Sequence, residues 1–516
     1  MRPALDVPVH PILVAATIVV TAWLDAAVSP YAATRSLLVA FGLALVLTVI
    51  ASAVARSAQV GALAATAILL ALWSRVALEF VLEVVGAMGF VIGVVWLLLV
   101  ALLVILLVRR TRGRWSTAAA TTALNRGSAL VLLAALLLGM VNGRLPSLLP
   151  DFAQGGPISS LYLASDAAED RPDVYAILLD GYPRADVLDY AFGIDNSAFV
   201  DALTERGFTV ASESHSNYLW THVSLPTTLN MTFAEQIPEM RAVIDLQRPR
   251  QPTLRQLVSN SAAFGVARDA GYTTVAIGSG FEEVAARQAD VYLDGGQLNE
   301  FEISLLTSTF VADLIRPFAP DVASGQQRER IRHNLAVLPD IAGIGGAPVF
   351  VFAHVPSPHQ PVVFGPDGQP VAEPLRSNWF ADSPGERGQD PEEFRERYRA
   401  QLPVLNDLVL DAIDGILAAS DEPPIIVVFA DHGSASAVDW NETEPAEADP
   451  ARLLERTGTL FAAFTPGRTD VFPDDVSNVD IFRLLFDAYL GTEYGPATPP
   501  EGGGHVQPVD ASVLDD

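Results

Sequence analysis

The 516-residue chain contains no cysteine, which excludes disulfides, thiolate metal sites and a cysteine nucleophile, and permits an oxidising compartment. It also contains no lysine, so all 32 basic side chains are arginine. Together with the abundance of alanine and valine, that bias points to a GC-rich genome or a high-salt habitat, of which the genome is preferred. Positive charge is scarce against 60 acids, and what there is lies unevenly. Residues 1–149 hold ten arginines and four acids (Asp6, Asp25, Glu79, Glu83) in a mostly apolar background. The remainder carries 22 arginines against 56 acids. So acidic a portion argues against nucleic acid as a partner. Two regions of opposite character follow: a membrane region over 1–149 and a soluble region over 173–516, joined by a linker over 150–172.

The first region is rich in long apolar runs. Crossing a bilayer takes about 20 apolar residues per helix, and about five runs qualify as candidate spans: Ile12 to Ala27, Leu37 to Val54, Val60 to Phe80, Gly86 to Val108 and Ser128 to Val141. The third is interrupted by Arg75 and the fifth is short, so a count of four is the alternative. The first run follows a single arginine and has no small-residue cleavage site, which predicts a retained helix rather than a cleaved signal. Arg109, Arg110, Arg112 and Arg114, with Arg126 beyond, cluster in one loop. Loops rich in positive charge stay in the cytoplasm. With five spans this places the N-terminus inside and the acidic region outside, in a multi-pass protein of the plasma (inner) membrane. Residues 144–172 lack periodicity and read as a linker, with Leu145 to Phe152 as a candidate amphipathic segment lying on the bilayer.

The soluble region alternates strand and helix patterns, as an α/β fold with a mostly parallel sheet flanked by helices does. Strand candidates are Asp173 to Leu179, Thr273 to Ile277, Pro348 to Ala353 and Pro424 to Ala430; helix candidates are Asn196 to Arg206 and Pro391 to Ala418. Three of the strands run into polar residues: Asp180-Gly181, His354, and Asp431-His432-Gly433. In open α/β sheets ligands bind beyond the carboxyl ends of the strands. Asp180, Asp431 and His432 offer two carboxylates and an imidazole, a set suited to zinc or manganese, with calcium or magnesium as alternatives. The hydroxyl-rich segment Asn217 to Ser224 supplies the missing ligand. A hydroxyl bound to a cation loses its proton more easily and becomes a nucleophile, and Thr221 is preferred to Ser224. The blander readings are turn chemistry for Asp180-Gly181, a backbone hydrogen bond for His432 and a neighbour's role for His222.

LLDG at 178–181, the threonine segment at 221–231, HVPSPHQP at 354–361 and FADHG at 429–433 occur in an order that resembles the sulfatase branch of the alkaline phosphatase superfamily. The resemblance runs from Pro172 to Gly491 and includes Asn478-Val479-Asp480-Ile481-Phe482, similar to the helix that closes such domains. Membrane spans ahead of such a domain resemble lipoteichoic acid synthases and lipid A phosphoethanolamine transferases. It implies a metal site of Asp180, Thr221, Asp431 and His432, with Thr221 as the nucleophile. His354 and His359 would face the substrate, His359 as the better candidate for general acid. Sulfatases need a cysteine or serine, oxidised to formylglycine and followed by proline and arginine. Here Thr221-His222-Val223-Ser224-Leu225 stands in that place, so phosphorus chemistry is expected instead.

The resulting expectation is a membrane-anchored, metal-dependent phosphoester transferase or hydrolase acting on a lipid headgroup or envelope glycan. A hydrolase of small phosphoric or sulfuric esters and a metal-free scaffold for envelope assembly are the alternatives. His505, after a glycine run, is a candidate ligand for a second ion, and the acidic stretch Asp439 to Asp449 reads as a solvated loop.

Overall fold

The computed structural model describes residues 7–26, 28–75, 91–100, 117–142, 171–241, 252–373, 381–438, 447–501 and 504–514, with single positions 102, 144, 379 and 440. The arginine cluster at 109–114 and the linker from 145 to 170 lie outside these residues. The chain divides into two compact units.

The first unit is helical. Its helices are α1 (His10–Ala26), α2 (Pro30–Ala55), α3 (Ala58–Trp73), a Val91–Val100 helix and a Thr117–Val141 helix. Among the described residues two of these, Pro30–Ala55 and Thr117–Val141, are long and apolar enough to cross a membrane, and the other three are shorter apolar helices. The helix that carries the Ser128–Val141 run already includes Thr117, because the alanine- and threonine-rich stretch before Ser128 is helical too. Leucines and valines such as Leu38, Val49, Leu98, Leu130 and Leu138 are exposed along these helices, as lipid-facing side chains are. Proline at the first turn starts α2, where its missing N–H costs nothing. Gly61 in α3 lies so close to Ser52 of α2 that a Cβ there would overlap Ser52. The same unit contains Asn299–Val322, far away in sequence.

The second unit is built on a seven-stranded sheet of order β2-β7-β6-β1-β5-β3-β4. Its strands are β1 (Val174–Leu179), β2 (Thr209–Val210), β3 (Thr273–Ile277), β4 (Val291–Leu293), β5 (Val349–Val355), β6 (Ile425–Phe429) and β7 (Phe461–Phe464). β6, β1, β5, β3 and β4 are parallel neighbours up to one edge, and at the other edge β7 pairs antiparallel with β6 and β2 antiparallel with β7. β1 and β5 are buried at every position, which is why they read as continuous apolar runs instead of alternating ones. One apolar layer packs Ile177, Val351 and Val428 against Leu402, Val409 and Ile413 of the Pro391–Ala419 helix. The other packs Ala176, Phe350 and Val427 against Phe264, Phe482 and Phe486. Asp390 caps that long helix through Glu392 N and Glu393 N. β1 lies between β5 and β6, pairing Leu178 with both His354 and Phe429. Three adjacent parallel strands therefore end together, and their next residues form the site.

Candidate metal and phosphoryl-transfer site

Asp180 follows β1 directly, and its N–H donates to Val355 O at 3.0 Å, so the residue still belongs to the sheet edge. Gly181 adopts a positive φ of 74°, which a side chain would strain, and turns the chain sharply there. His359 N donates to Asp180 O at 2.9 Å, bringing the HVPSPHQP loop against that turn. Asp431 and His432 follow β6. Gly433 must be glycine because a Cβ there would stand 2.1 Å from Glu455 O.

Thr221 opens the Thr221–Asn230 helix. Ser224, one turn on, donates to Asp431 O at 2.6 Å and is buried, so its hydroxyl fastens the helix to the β6 end. Asn478 reinforces this joint by donating from Nδ2 to Ala430 O and Asp431 O at 2.9 and 3.2 Å. Fixed in this way, the helix brings Thr221 Oγ1 to 3.0 Å from His432 Nε2. His432 Nε2 lies 3.6 Å from Asp180 Oδ1 and 3.5 Å from Asp431 Oδ2. The four residues expected to form a metal site are thus brought together, and Ser224 is a structural tie.

The donor set fits a divalent cation on two independent counts. Asp180 Oδ1 and Asp431 Oδ2 are buried carboxylate oxygens with no hydrogen-bond partner, although buried carboxylates are costly unless paired or bound to metal. His432 donates from Nδ1 to Gly433 O at 2.8 Å, which leaves the Nε2 lone pair for a cation, the arrangement that ligating histidines adopt. Asp180, His359 and His432 each offer a ligand atom within 4.8 Å of the others, so His359 also borders the site. Burial works against ionisation of Asp180, but the imidazoles of His359, His354 and His432 outweigh it and hold the carboxyl well below the usual range.

The two histidines of the loop differ in position. His354 is buried, and its Nε2 lies 2.9 Å from Asp180 Oδ2, so the ring stands against a carboxylate of the candidate site. His359 donates from Nδ1 to Gln360 O at 2.7 Å and turns Nε2 towards Asp382 Oδ1 at 3.3 Å. Burial depresses the His359 pKa, yet the carboxylates of Asp180 and Asp382 more than compensate and raise it.

Asp382 and Arg456 escaped the sequence reading. The buried Arg456 guanidinium donates to Leu219 O at 2.7 Å and Gly433 O at 3.0 Å, and pairs with Asp382. One side chain thereby joins the segment before Thr221, the segment after His432 and the carboxylate beside His359. No local pattern marks either residue. The nearest signal is the capping box Ser383-Pro384-Gly385-Glu386, which announces a helix start just after Asp382. His222, beside Thr221, is kept neutral: burial first, then His432 and Arg456, push its pKa down to about 4. His505 lies against Glu235, with Nδ1 3.2 Å from Oε1, and no other acid or histidine joins the pair in a cluster among the described residues.

Neither a family model nor a curated protein matches this chain. Solved structures do. The chain is similar to phosphoethanolamine transferase structures. The C-terminal periplasmic domain of EcEptC from Escherichia coli, in complex with Zn, aligns at 15% identity over 63% of this chain and 85% of that one, with a TM-score of 0.40. The integral membrane lipooligosaccharide phosphoethanolamine transferase A from Neisseria meningitidis aligns at 10% identity over 77% and 68%, with a TM-score of 0.38. The lipoteichoic acid synthase LtaP from Listeria monocytogenes aligns at 14% identity over 67% and 78%, with a TM-score of 0.36.

Proposed function

We propose that this protein is a membrane-anchored, metal-dependent phosphoester transferase or hydrolase of the sulfatase-like kind. Its site lies outside the cytoplasm and acts on a lipid headgroup or envelope glycan. The observation that carries the reading is the Thr221 hydroxyl 3.0 Å from His432 Nε2, beside the unpartnered oxygens of Asp180 and Asp431. Asp180, Thr221, Asp431 and His432 would hold one divalent ion, zinc or manganese by their chemistry. When bound, the ion lowers the pKa of the Thr221 hydroxyl and offsets charge on the phosphoryl oxygens.

The chain's own groups account for the remaining chemistry. Thr221 Oγ1, its proton released to water, forms the new bond to phosphorus as the bond to the leaving oxygen breaks. His359, whose cationic form is favoured by Asp180 and Asp382, gives its Nε2 proton to that oxygen. Water or an acceptor alcohol then displaces Thr221, and His359 takes back a proton. His354 fixes the orientation of Asp180 through the 2.9 Å contact. A threonine cannot be converted to formylglycine, and Leu225 stands where the sulfatase pattern has arginine; both favour phosphorus over sulfate esters.

The membrane part of the proposal rests on the apolar helices of the first unit and takes five spans with the N-terminus inside. The test is turnover by the full-length protein in detergent on chromogenic phosphodiester, phosphomonoester and sulfate ester substrates, with and without added zinc or manganese. Metal-dependent phosphodiester cleavage is expected; cleavage of sulfate esters alone would overturn the reading.

A further inference from the structure

Asn299–Val322 lies in sequence between β4 and β5, yet it packs within the helical unit. It folds as two short helices, Glu300–Thr307 and Phe310–Ile315. A capping box sets the first: Asn299 Oδ1 accepts from Glu302 N, and Glu302 Oε2 accepts from Asn299 N. The Asn299 amide then donates to Ala32 O at 3.1 Å, in the first turn of α2.

The contacts of this segment with α1, α2 and α3 named below cluster towards one end of those helices. α1 ends at Ala26, α2 starts at Pro30 and α3 ends at Trp73, so in an up-and-down bundle these termini share a side. Phe301, buried, packs with Trp23, Val28 and Ala32. Glu302 receives the Arg35 guanidinium, with Nε at 2.6 Å. Asp313 receives Arg75 Nε at 2.8 Å and Arg316 at 3.1 Å. Phe310, also buried, lies where a Cβ on Gly93 would come within 3.1 Å of its ring.

Besides Arg144, which pairs with Asp25, a five-span, N-inside topology leaves two arginines towards the outer side, where positive charge is disfavoured: Arg35 and Arg75. Each meets an acid that is itself buried: Glu302 is 6% and Asp313 3% exposed. Buried carboxylates need such partners, and removing one partner of a buried pair is strongly destabilising.

We infer that Asn299–Val322 is a docking segment whose partner is the outer end of this chain's own helices, recognised by two acid–arginine pairs and two phenylalanine contacts. It returns a stretch from the soluble sequence to the bilayer unit, and so moors the chain there at a point independent of the 150–172 linker. That this end is the outer one rests on the proposed five-span topology; the docking itself depends neither on that nor on which reaction the Thr221 site performs.

The test uses the full-length protein in membranes and exploits the absence of native cysteine. Cysteine is placed at Ala312, 2% exposed in the segment, or at Ala412, 4% exposed in the Pro391–Ala419 helix, and thiol labelling is timed. Arg75→Asp is expected to speed labelling at 312 by roughly tenfold or more and to leave 412 protected, as local opening does. Adding Asp313→Arg to Arg75→Asp is expected to restore protection at 312. Should the reversals fail to accumulate as folded protein, Arg75→Gln, Asp313→Asn and their double variant replace them, with the same local loosening expected. Unchanged labelling at 312, loosening at both sites, or an Arg75→Asp/Asp313→Arg variant no better protected than Arg75→Asp alone would each overturn the docking role.

Discussion

Thr221 Oγ1 and His432 Nε2 stand 3.0 Å apart although 211 positions separate them in sequence. The contact depends on Ser224 and Asn478, which tie the threonine's helix to the end of β6. If Thr221 is the nucleophile, Thr221→Ala lowers phosphodiester turnover at least ~10³-fold without unfolding the protein. Thr221→Ser keeps a hydroxyl at the same place and retains measurable turnover. Steady-state kinetics with circular dichroism on both variants checks this.

In the proposed mechanism His354 acts through Asp180, 2.9 Å from its Nε2. Losing the partner that orients a ligand typically costs ~10–100-fold in metal affinity or activity, so His354→Ala is expected to weaken metal binding by about that factor. Chelator competition measures it, and excess metal should recover part of the activity. If His354 worked directly on the substrate, activity would stay low at saturating metal.

The sequence made the sheet and most of the site legible for a physical reason. β1, β5 and β6 are buried on both faces, so they stand out as apolar runs, and the residues that follow them mark the rim. Thr273–Ile277 was read with the structure's own bounds, and Pro391–Ala418 within one residue. Asp382 and Arg456 were illegible because their significance is a meeting in space. His354 is partly legible for a related reason: its position at the end of β5 is visible in sequence, but its contact with Asp180 is not. The short, mixed helices of Asn299–Val322 carry no membrane signature, so the sequence pattern groups the segment with the soluble region.

Arg456 is expected to matter through geometry as well as charge. Lysine cannot reach Leu219 O, Gly433 O and Asp382 together, since it lacks the guanidinium fork. Arg456→Lys should therefore lower kcat by ~10–100-fold while metal content stays at the wild-type level. Elemental analysis beside kinetics separates this from simple loss of the ion.

Glu235 links the C-terminal stretch to the site by accepting from Tyr218 OH at 2.7 Å and His505 N at 2.8 Å. Burial works against its ionisation, but these donors prevail and set its pKa below the ordinary 4.5. A carboxyl depressed on folding adds stability above its unfolded pKa, and that stability is lost as pH falls through the folded one. Glu235→Gln should lower the melting temperature near neutral pH and flatten its decline below about pH 4.5. A decline as steep as in the wild type would assign the acid sensitivity to other groups.

The most direct measurement of the central claim is metal content and phosphodiester turnover on one preparation of the full-length protein, beside its Thr221→Ala variant. The account predicts about one divalent ion per chain in the wild type and turnover that disappears with the threonine hydroxyl. Wild-type protein that takes up no ion even after reconstitution, or a Thr221→Ala variant with full turnover, would contradict it.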